Sequence, residues 1–511
     1  MKSKILFIYP DIGGNSISFS PAIEILSSFL KKNGFNVELI HIHDKFGVKM
    51  DYDDIAKRVK AISPNIVGIS ATTYQYEESN KLCMELKKSK ITIPIILGGI
   101  GPTISPEKLA ESYFDGFAIG EGEIPLMELL TKIENGESYY ETPGFHFKVG
   151  DKIIKNPMGK IITNLDVLPI PDYEIMNTEK ILPLRDKWLS IAFSRGCLYS
   201  CNFCINQKLK KMYPFKEAKE YFRTKSASNA IKELLYLANR YAGQIEIFNL
   251  DDDLIIMDKQ WFYEFAHLYK KEIYNKYGIK YAINGRANLL DEEMVKVLKD
   301  TGCWLIRVGF ETGNNEMRNL ILKKGISDQQ LRNVFSYFHK YNLRSLAFAM
   351  IGIPKESLQT IYSSIDMLTE LRPTLIRMAI FEPFIGTPLY DYCIKNNLIK
   401  EVENHNCFED SSLLFDTING TDIRIYSLLF PWYLNKKMLL TNYSKDYCDL
   451  IDKYVDLIRN GKEDGNILRK MILEEDRKIS NRLKKIGIEH FEYFSNNAFY
   501  YHYYSLTEPL Q

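Results

Sequence analysis

The sequence predicts an α/β protein with three parts: a doubly wound parallel sheet, a partial (β/α)6 barrel and a mostly helical C-terminal region. Short apolar strands alternate with amphipathic helices through residues 1–135. The alternation resumes at residue 189 and gives six strands. Each of these ends in polar residues or glycine, as at the active face of a β/α barrel. From residue 401 onward the spacing of apolar residues is mostly typical of helices.

We therefore divide the 511 residues into four segments. A sheet domain covers 1–135, a linker 136–188, the partial barrel 189–400 and the helical region 401–511. In the linker, apolar and polar residues alternate on both sides of Gly150 and Asp151, which predicts a β-hairpin. Helices are predicted over 427–440 and 445–459. The tail 491–504 is rich in tyrosine and phenylalanine, which favours packing over a substrate pocket.

The composition is that of a globular protein without a strong electrostatic field. With 66 Lys and Arg against 65 Asp and Glu, the net charge is +1, so we expect no nucleic-acid partner. No run of 18 apolar residues occurs, and Met-Lys-Ser-Lys leads directly into a strand. We therefore expect neither a membrane span nor a signal peptide. The eight cysteines are not spaced as a disulfide framework, which predicts a reducing cytoplasm.

Small and polar residues follow the strands of the first domain, at 10–15, 70–73, 98–103 and 120–123. Ligands of doubly wound sheets bind beyond the carboxyl ends of the strands. Small residues there leave a groove lined by backbone, which suits a large flat ligand. The candidates are Ser70, Thr72, Gly98, Gly99, Gly120 and Glu121. Taken singly, each glycine is better explained by a tight turn between strand and helix.

A loop with three cysteines follows the first strand of the barrel. Cys197, Cys201 and Cys204 have the spacing C-x3-C-x2-C. A structural zinc site needs four ligands, and no fourth cysteine lies nearby. A 4Fe–4S cluster held by three thiolates leaves one iron open for chemistry. The alternatives are zinc completed by a distant histidine, or three buried thiols. Cys393, Cys407 and Cys448 are singly placed and are interpreted as buried or free thiols.

The cysteine loop, with Phe203 before its last cysteine, resembles the signature of the radical SAM superfamily. Residues 98–123 resemble the cobalamin-binding, flavodoxin-like domain of the class B radical SAM methyltransferases. The shared pattern is Gly-Gly, Pro-Thr, Pro-Glu, then Asp115 before a strand and Gly-Glu-Gly-Glu. The two resemblances together cover residues 1 to about 390.

One motif of other cobalamin proteins is absent. In Asp-x-His-x-x-Gly a histidine reaches cobalt, but here Asp11 is followed by Ile12, Gly13 and Gly14. His41 lies at a different strand end, as does the nearby His43. The departure argues against histidine ligation of cobalt, and it leaves open a domain that has lost the cofactor.

The resemblance implies roles for the barrel residues. The three cysteines would hold a 4Fe–4S cluster, and S-adenosylmethionine (SAM) would chelate its open iron. Asp251 and Asp252 would accept hydrogen bonds from the methionyl ammonium, and Arg286 would pair with the methionyl carboxylate. Glu311 would bind the ribose hydroxyls, and Gly352 would shape the adenine side. The two aspartates could instead belong to an acidic helix N-terminus, and Arg286 to a structural ion pair. Glu311 could instead lie in a solvated turn, and Gly352 could have a packing role.

The same resemblance implies a function. We expect cobalamin-dependent methylation of an unactivated carbon in a small molecule, lipid or peptide. One SAM would supply the methyl group through cobalamin and a second the radical. An external low-potential donor such as flavodoxin or ferredoxin would supply the electron. The alternatives are a radical rearrangement, cyclisation or other redox reaction without methyl transfer, or a non-catalytic cobalamin-binding or cluster-binding partner. RNA methylthiolation is disfavoured, because that group begins with a cysteine-bearing domain and residues 1–135 contain only Cys83.

Overall fold

The computed structural model describes residues 2–12, 17–213, 215, 217–400, 411–461, 465–494 and 500–505. The strand end at Gly13 and Gly14 and the thiol of Cys407, both named above, lie outside the described residues. The chain divides into two compact units. The first comprises Met1–Leu198, Lys208–Asp253 and Lys271–Ile279, and the second comprises Tyr199–Gln207, Leu254–Lys270 and Lys280–Gln511.

The N-terminal sheet has the strand order β2-β1-β3-β4-β5-β6-β7. Strands β1 to β5 pair in parallel, and β6 and β7 add an antiparallel hairpin at the edge. The parallel strands are apolar because helices cover both of their faces. The elements are β1 Lys4–Pro10, α1 Pro21–Lys32, β2 Asn36–Ile42, α2 Tyr52–Ile62, β3 Ile66–Ser70, α3 Tyr76–Lys88, β4 Ile95–Gly98, α4 Ile100–Ile104, β5 Gly116–Ala118, α5 Glu123–Asn135, β6 Phe145–Val149 and β7 Lys152–Lys155.

The elements that follow bring in the cysteine loop. They are α6 Thr178–Ile181, β8 Trp188–Ile191, β9 Ser194–Arg195, α7 Asn206–Met212, β10 Arg223–Thr224, α8 Ala227–Arg240, β11 Ile247–Leu250, α9 Lys259–Tyr269, α10 Asn275–Tyr277 and β12 Lys280–Gly285. In the first unit β8 pairs in parallel with β11, and the short β9 pairs antiparallel with β10. The β9–β10 pair places the residues just before Cys197 beside Arg223 and Thr224.

The second unit holds the other four strands predicted for the partial barrel. β12, β13, β14 and β15 pair in parallel in that order. The elements are α11 Glu292–Asp300, β13 Cys303–Glu311, α12 Asp328–Lys340, β14 Ser345–Ile351, α13 Leu358–Leu371, β15 Leu375–Ile380, α14 Pro388–Lys395, α15 Gly420–Met438, α16 Thr441–Asn460, α17 Gly465–Lys485, β16 His490–Tyr493 and β17 Tyr500–Tyr504.

The C-terminal region is mostly helical, as expected, but its tail forms strands that we did not predict. β16 and β17 form an antiparallel hairpin, and β17 adds antiparallel to β15. The aromatic residues of the tail pack inward, since Tyr501 is fully buried and stacks on Phe430. Residues 495–499 of that tail lie outside the described residues. None of the helices in the described part of the chain combines the length and apolar character needed to cross a bilayer.

Candidate functional site

The three predicted cluster ligands follow β9. Cys201 is buried, and Cys197 and Cys204 are half-buried. In the second unit, Nη1 of Arg286 donates to the sulfur of Cys201 at 3.7 Å. The Nδ2 amide of Asn206 donates to the sulfur of Cys204 at 3.9 Å. Hydrogen bonds to the sulfurs are one means by which a protein sets the reduction potential of an iron–sulfur cluster.

The donor set of this loop fits an iron–sulfur cluster. Within the residues that the structure describes, no group of three His, Cys, Asp or Glu side chains is arranged to hold a metal ion. A 4Fe–4S cluster is bound by cysteine thiolates, with hydrogen bonds from the protein to its sulfurs. Three cysteines on one loop, two of them facing N–H donors, provide that chemistry.

Arg286, at the carboxyl end of β12, is a buried cation with an unused donor. It is 6% exposed, and its guanidinium lies 3.7 Å from the ring centroid of Tyr199. Its Nε has no hydrogen-bond partner among the described residues. A buried guanidinium with a spare N–H is well suited to a carboxylate. The predicted pairing with the methionyl carboxylate of SAM stays a prediction.

Glu311, at the end of β13, has an unusual backbone and an unexpected partner. Its φ of +63° lies in the left-handed region, and the register of β13 against β14 shifts between Gly309 and Glu311. Oε1 of Glu311 accepts a hydrogen bond from Nζ of Lys324, and both side chains are buried. The Lys324 ammonium also lies 5.9 Å from the ring centroid of Phe203. Backbone strain of this kind is typical of binding sites.

Asp252, after β11 in the first unit, holds the start of the cysteine loop. Its Oδ1 accepts hydrogen bonds from the backbone N–H of Phe193 at 2.8 Å, from that of Ser194 and from the Ser194 hydroxyl at 2.6 Å. Burial raises the pKa of Asp252 to about 7, although these hydrogen bonds act to lower it. Asp251 is exposed, and its Oδ1 accepts from Nδ2 of Asn249 at 2.7 Å. This difference makes Asp251 the more accessible of the two predicted SAM carboxylates.

Gly352, the predicted adenine-side residue, is held by a buried carboxylate. Oε2 of Glu356 accepts hydrogen bonds from the backbone N–H groups of Gly352 and Ile353, the latter at 3.2 Å. Burial raises the pKa of Glu356 to about 7, with the two backbone donors opposing that shift. Glu356 therefore shapes the turn after β14, a role that we did not predict.

A cavity of about 380 Å³ in the first unit brings most of the predicted cobalamin residues together. Five of the six line it, namely Ser70, Gly98, Gly99, Gly120 and Glu121. Thr72 does not line it and is exposed. The lining is mostly apolar, and it includes the small residues Gly68, Gly98 and Ala118 of three neighbouring strands. An apolar cavity with a few polar groups at its edge suits a cofactor with a flat ring.

Two of these glycines are required by close packing and by their backbone conformation. Gly99 has φ +109°, and a Cβ there would lie 2.4 Å from the carbonyl oxygen of Ala71. Gly120 has φ +83°, and its Cβ would lie 2.6 Å from Cε of Met158 and 2.8 Å from the hydroxyl of Tyr213. A side chain at Gly99 would clash with the backbone at the end of β3, and one at Gly120 would displace the side chains of Met158 and Tyr213.

Glu121 is the centre of an ion-pair network in the first unit. Its carboxylate accepts hydrogen bonds from Nη1 of Arg195 at 2.7 Å and from both Nη atoms of Arg223. Arg195 also donates to Glu123, and the backbone N–H of Glu121 donates to the hydroxyl of Tyr213 at 2.9 Å. Burial alone would raise the pKa of Glu121, but the two guanidinium groups lower it overall.

We did not predict this network, which connects the cavity with the cysteine loop. Arg195 stands two positions before Cys197, and Arg223 is its partner across the β9–β10 pair. Glu121 was expected to face cobalamin, yet its carboxylate is engaged by two arginines. The nearness of Arg195 to the cysteine motif was the available sequence signal. Nothing in the sequence pairs it with a glutamate more than 70 residues away.

Two family models match the chain. The B12 binding domain model matches residues 16–130, and the radical SAM superfamily model matches residues 191–368. The chain carries a radical SAM superfamily domain and a B12-binding domain. In this radical SAM protein, the first match includes all six predicted cobalamin residues. The second includes the three cysteines and the five predicted SAM residues.

Relatives and solved structures agree with the family. A protein of Pyrococcus horikoshii named an uncharacterized methyltransferase is 26% identical over 70% of this chain and 76% of its own length. The anaerobic magnesium-protoporphyrin IX monomethyl ester cyclase of Rubrivivax gelatinosus is 23% identical over 87% of this chain and 80% of its own length.

Among solved structures, the radical SAM methyltransferase TsrM from Kitasatospora setae, with tryptophan and a SAM analogue bound, has a TM-score of 0.64. It is 18% identical and covers 79% of each chain. OxsB, a cobalamin-dependent SAM radical enzyme solved with aqua-cobalamin and SAM, has a TM-score of 0.66 at 15% identity. That match covers 95% of this chain and 75% of OxsB. At these identities the likeness shows the fold.

These findings confirm several predictions. The family matches confirm the prediction of a radical SAM protein. They also confirm its predicted cofactors, a 4Fe–4S cluster, SAM and cobalamin. The structural likeness confirms the fold class, with a flavodoxin-like N-terminal sheet, a radical SAM core and a helical C-terminal region. The four segment boundaries and the roles of individual residues stay predictions.

Proposed function

We propose that this radical SAM protein is a cobalamin-dependent methyltransferase that acts on an unactivated carbon. The cavity of the first unit carries the proposal, because the B12-binding match and five predicted cobalamin residues coincide there. When bound, the cluster and SAM supply a 5′-deoxyadenosyl radical, and cobalamin supplies a carrier for the methyl group. A relative and a structural neighbour that are named methyltransferases support the choice of reaction.

The chain's own residues would bind and orient the reactants. Cys197, Cys201 and Cys204 would hold the cluster, with the Arg286 guanidinium beside Cys201. The spare Nε–H of Arg286 would take the methionyl carboxylate of SAM. Glu311, fixed by its ion pair with Lys324, would accept hydrogen bonds from the ribose hydroxyls. Burial of these groups keeps water away from the site of radical formation.

The remaining partners follow from the same chemistry. The substrate is a small molecule, lipid or peptide with an unactivated carbon, and no nucleic acid is involved. The sequence contains no second cluster motif, so an external low-potential protein such as flavodoxin or ferredoxin would deliver the electron. Because oxygen destroys exposed iron–sulfur clusters, the cytoplasm is the proposed location.

One observation favours a second candidate function. The relative from Rubrivivax gelatinosus, which is named a cyclase, covers 87% of this chain. A radical ring-forming or rearrangement reaction, without methyl transfer, would use the same cluster and SAM residues. The two candidates differ in the fate of the SAM methyl group.

The products formed from SAM distinguish these functions. We would purify the full chain anaerobically from cells grown with hydroxocobalamin, reduce it, and measure 5′-deoxyadenosine and S-adenosylhomocysteine by mass spectrometry. A methyltransferase forms both products. The contrary result is 5′-deoxyadenosine without S-adenosylhomocysteine in protein that retains the corrin spectrum. It would favour the cyclase-type reaction and contradict methyl transfer.

A pair of cysteine variants tests the role of the cluster. Cys201→Ala should lose both products together with most of the bound iron. Cys448→Ser is the matched control, because this half-buried thiol lies outside the motif. It should retain both products and the iron. Full function in Cys201→Ala would instead support a non-catalytic binding protein.

A further inference from the structure

A second cleft in the first unit is distinct from the cobalamin cavity. Its volume is about 580 Å³, and none of its lining residues lines that cavity. It lies between the end of β2, the loop after β2, α2 and the linker around residues 175–184. Apolar walls come from Phe46, Val48, Ile175 and Leu184. A volume of this size is within the range of metabolite sites.

The cleft is positively charged. Lys45, Arg58 and Lys180 line it, and no aspartate or glutamate does so among the described residues. Nε of Arg58 donates to Asp54 at 2.7 Å, which offsets part of its charge. Lys45 and Lys180 are exposed, and neither forms an ion pair with a described residue. Two unpaired ammonium groups around a concave surface attract an anion.

His41 adds a buried polar atom that lacks a partner. It lines the cleft and is 6% exposed. Its Nε2 lies 3.1 Å from Oδ2 of Asp11, which also accepts from the backbone N–H of Ser18 at 2.7 Å. Its Nδ1 has no hydrogen-bond partner among the described residues. The carboxylate of Asp11 holds the imidazole in place in the wall of the cleft.

We propose that this cleft binds a small amphipathic oxyanion, a phosphate or carboxylate on a short apolar body. The two lysines bind the charged group, and the walls around Phe46 and Leu184 bind the apolar part. The site is separate from cobalamin and SAM, and the proposal stands whether or not the protein transfers methyl groups.

Calorimetry on the full-length protein tests the proposal with three probes: inorganic phosphate, n-butyl phosphate and butyrate. We expect saturable one-to-one binding of at least one oxyanion, and tighter binding of n-butyl phosphate than of inorganic phosphate. Lys45→Ala with Lys180→Ala should weaken binding at least tenfold. Lys152→Ala with Lys160→Ala is the matched control, because it removes two exposed lysines of the same unit that do not line the cleft. It should bind as the wild type does.

The competing outcomes each overturn the proposal. The absence of binding by all three probes would show that the cleft is not an oxyanion site. Equal weakening in the two double variants would show a general charge effect. Displacement of n-butyl phosphate by excess hydroxocobalamin, which itself carries a phosphodiester, would assign the cleft to the cobalamin site.

Discussion

Single residues show how charge is distributed around the cofactor sites of this radical SAM protein. Glu121 and Arg195 are far apart in the sequence, yet they share a half-buried ion pair beside the cavity. Lys324 neutralises Glu311 in the same way within the second unit. Buried charges of this kind need partners, because removal from water is costly unless an opposite charge replaces the solvent.

Glu121→Gln should destabilise the first unit. The substitution leaves Arg195 and Arg223 without their shared carboxylate, and Arg223 is only 7% exposed. Loss of one partner of a buried pair costs about 3 kcal/mol, so the thermal midpoint should fall by several degrees. Differential scanning calorimetry would measure it. Glu38→Gln, an exposed glutamate of β2, is the control, and equal midpoints for the two variants would contradict the structural role of the network.

We expect the buried carboxyl of Asp252 to make the free energy of unfolding depend on pH between about pH 4 and pH 7. Its pKa is about 7 in the folded chain against about 3.9 when unfolded. Between these values the folded state keeps a proton that the unfolded state releases. The stabilisation is therefore complete below about pH 4 and is lost as the pH rises to about 7.

Asp252→Asn removes that proton but keeps an oxygen for the backbone N–H groups of Phe193 and Ser194. The difference in thermal midpoint, wild type minus Asp252→Asn, should therefore decrease as the pH rises from 4 to 7. Above pH 7 this difference should stay constant. Asp300→Asn, at an exposed helix end, should show no such trend. A constant difference between wild type and Asp252→Asn at every pH would refute the assignment.

At the scale of elements, the C-terminal hairpin compensates for a proline inside α15. Pro431 has no N–H, so the carbonyl of Ser427, four residues earlier, loses its helical partner. The Tyr501 hydroxyl donates to that carbonyl at 2.7 Å, and the Tyr493 hydroxyl donates to the next carbonyl, of Leu428. The tail tyrosines therefore complete the hydrogen bonding of a buried helix.

Tyr501→Phe should destabilise the second unit by about 1–3 kcal/mol, the cost of a buried carbonyl left without a partner. Tyr500→Phe is the control, since no hydrogen bond of its hydroxyl is found among the described residues. In a Pro431→Ala background the alanine N–H can bond to Ser427, so Tyr501→Phe should cost less. A double-mutant cycle by thermal unfolding measures this coupling, and additive effects would contradict the explanation.

At the scale of the molecule, the cavity and the cysteine loop are separate candidate sites, so we expect their cofactors to bind independently. The cavity lies on the N-terminal sheet, and the predicted cluster ligands lie on the loop after β9. Gly98 lines the cavity, and a Cβ there would meet Ala118 only at 3.8 Å. A larger side chain at Gly98 therefore enters the space proposed for cobalamin without a clash at its Cβ.

Gly98→Val should weaken cobalamin binding and leave the cluster intact. Filling a packed site typically costs about 1–3 kcal/mol, which corresponds to roughly 5- to 150-fold weaker binding. Corrin absorbance after desalting and iron analysis would measure the two cofactors on the same sample. Ala61→Val, on the exposed side of α2, should retain both. Parallel loss of iron and corrin in Gly98→Val would mean that the sites are not independent.

Much of this organisation was predictable from local patterns. The hairpin predicted around Gly150 and Asp151 forms as β6 and β7, and the helices predicted over 427–440 and 445–459 overlap α15 and α16. Apolar periodicity is a property of neighbouring residues, so it specifies such elements without knowledge of the fold. The β16–β17 hairpin was missed because it is stabilised by pairing with the distant strand β15, which no local pattern reports.

By itself, the sequence determined the family, the fold class and the residue types of the cluster loop, because spacing along the chain encodes them. Only the tertiary structure decided which charges meet. It pairs Arg195 and Arg223 with Glu121, and Lys324 with Glu311. It also brings the Asp252 carboxylate into hydrogen-bond contact with the start of the cysteine loop. Burial makes such pairings necessary, and folding brings the partners together from positions that no spacing rule connects.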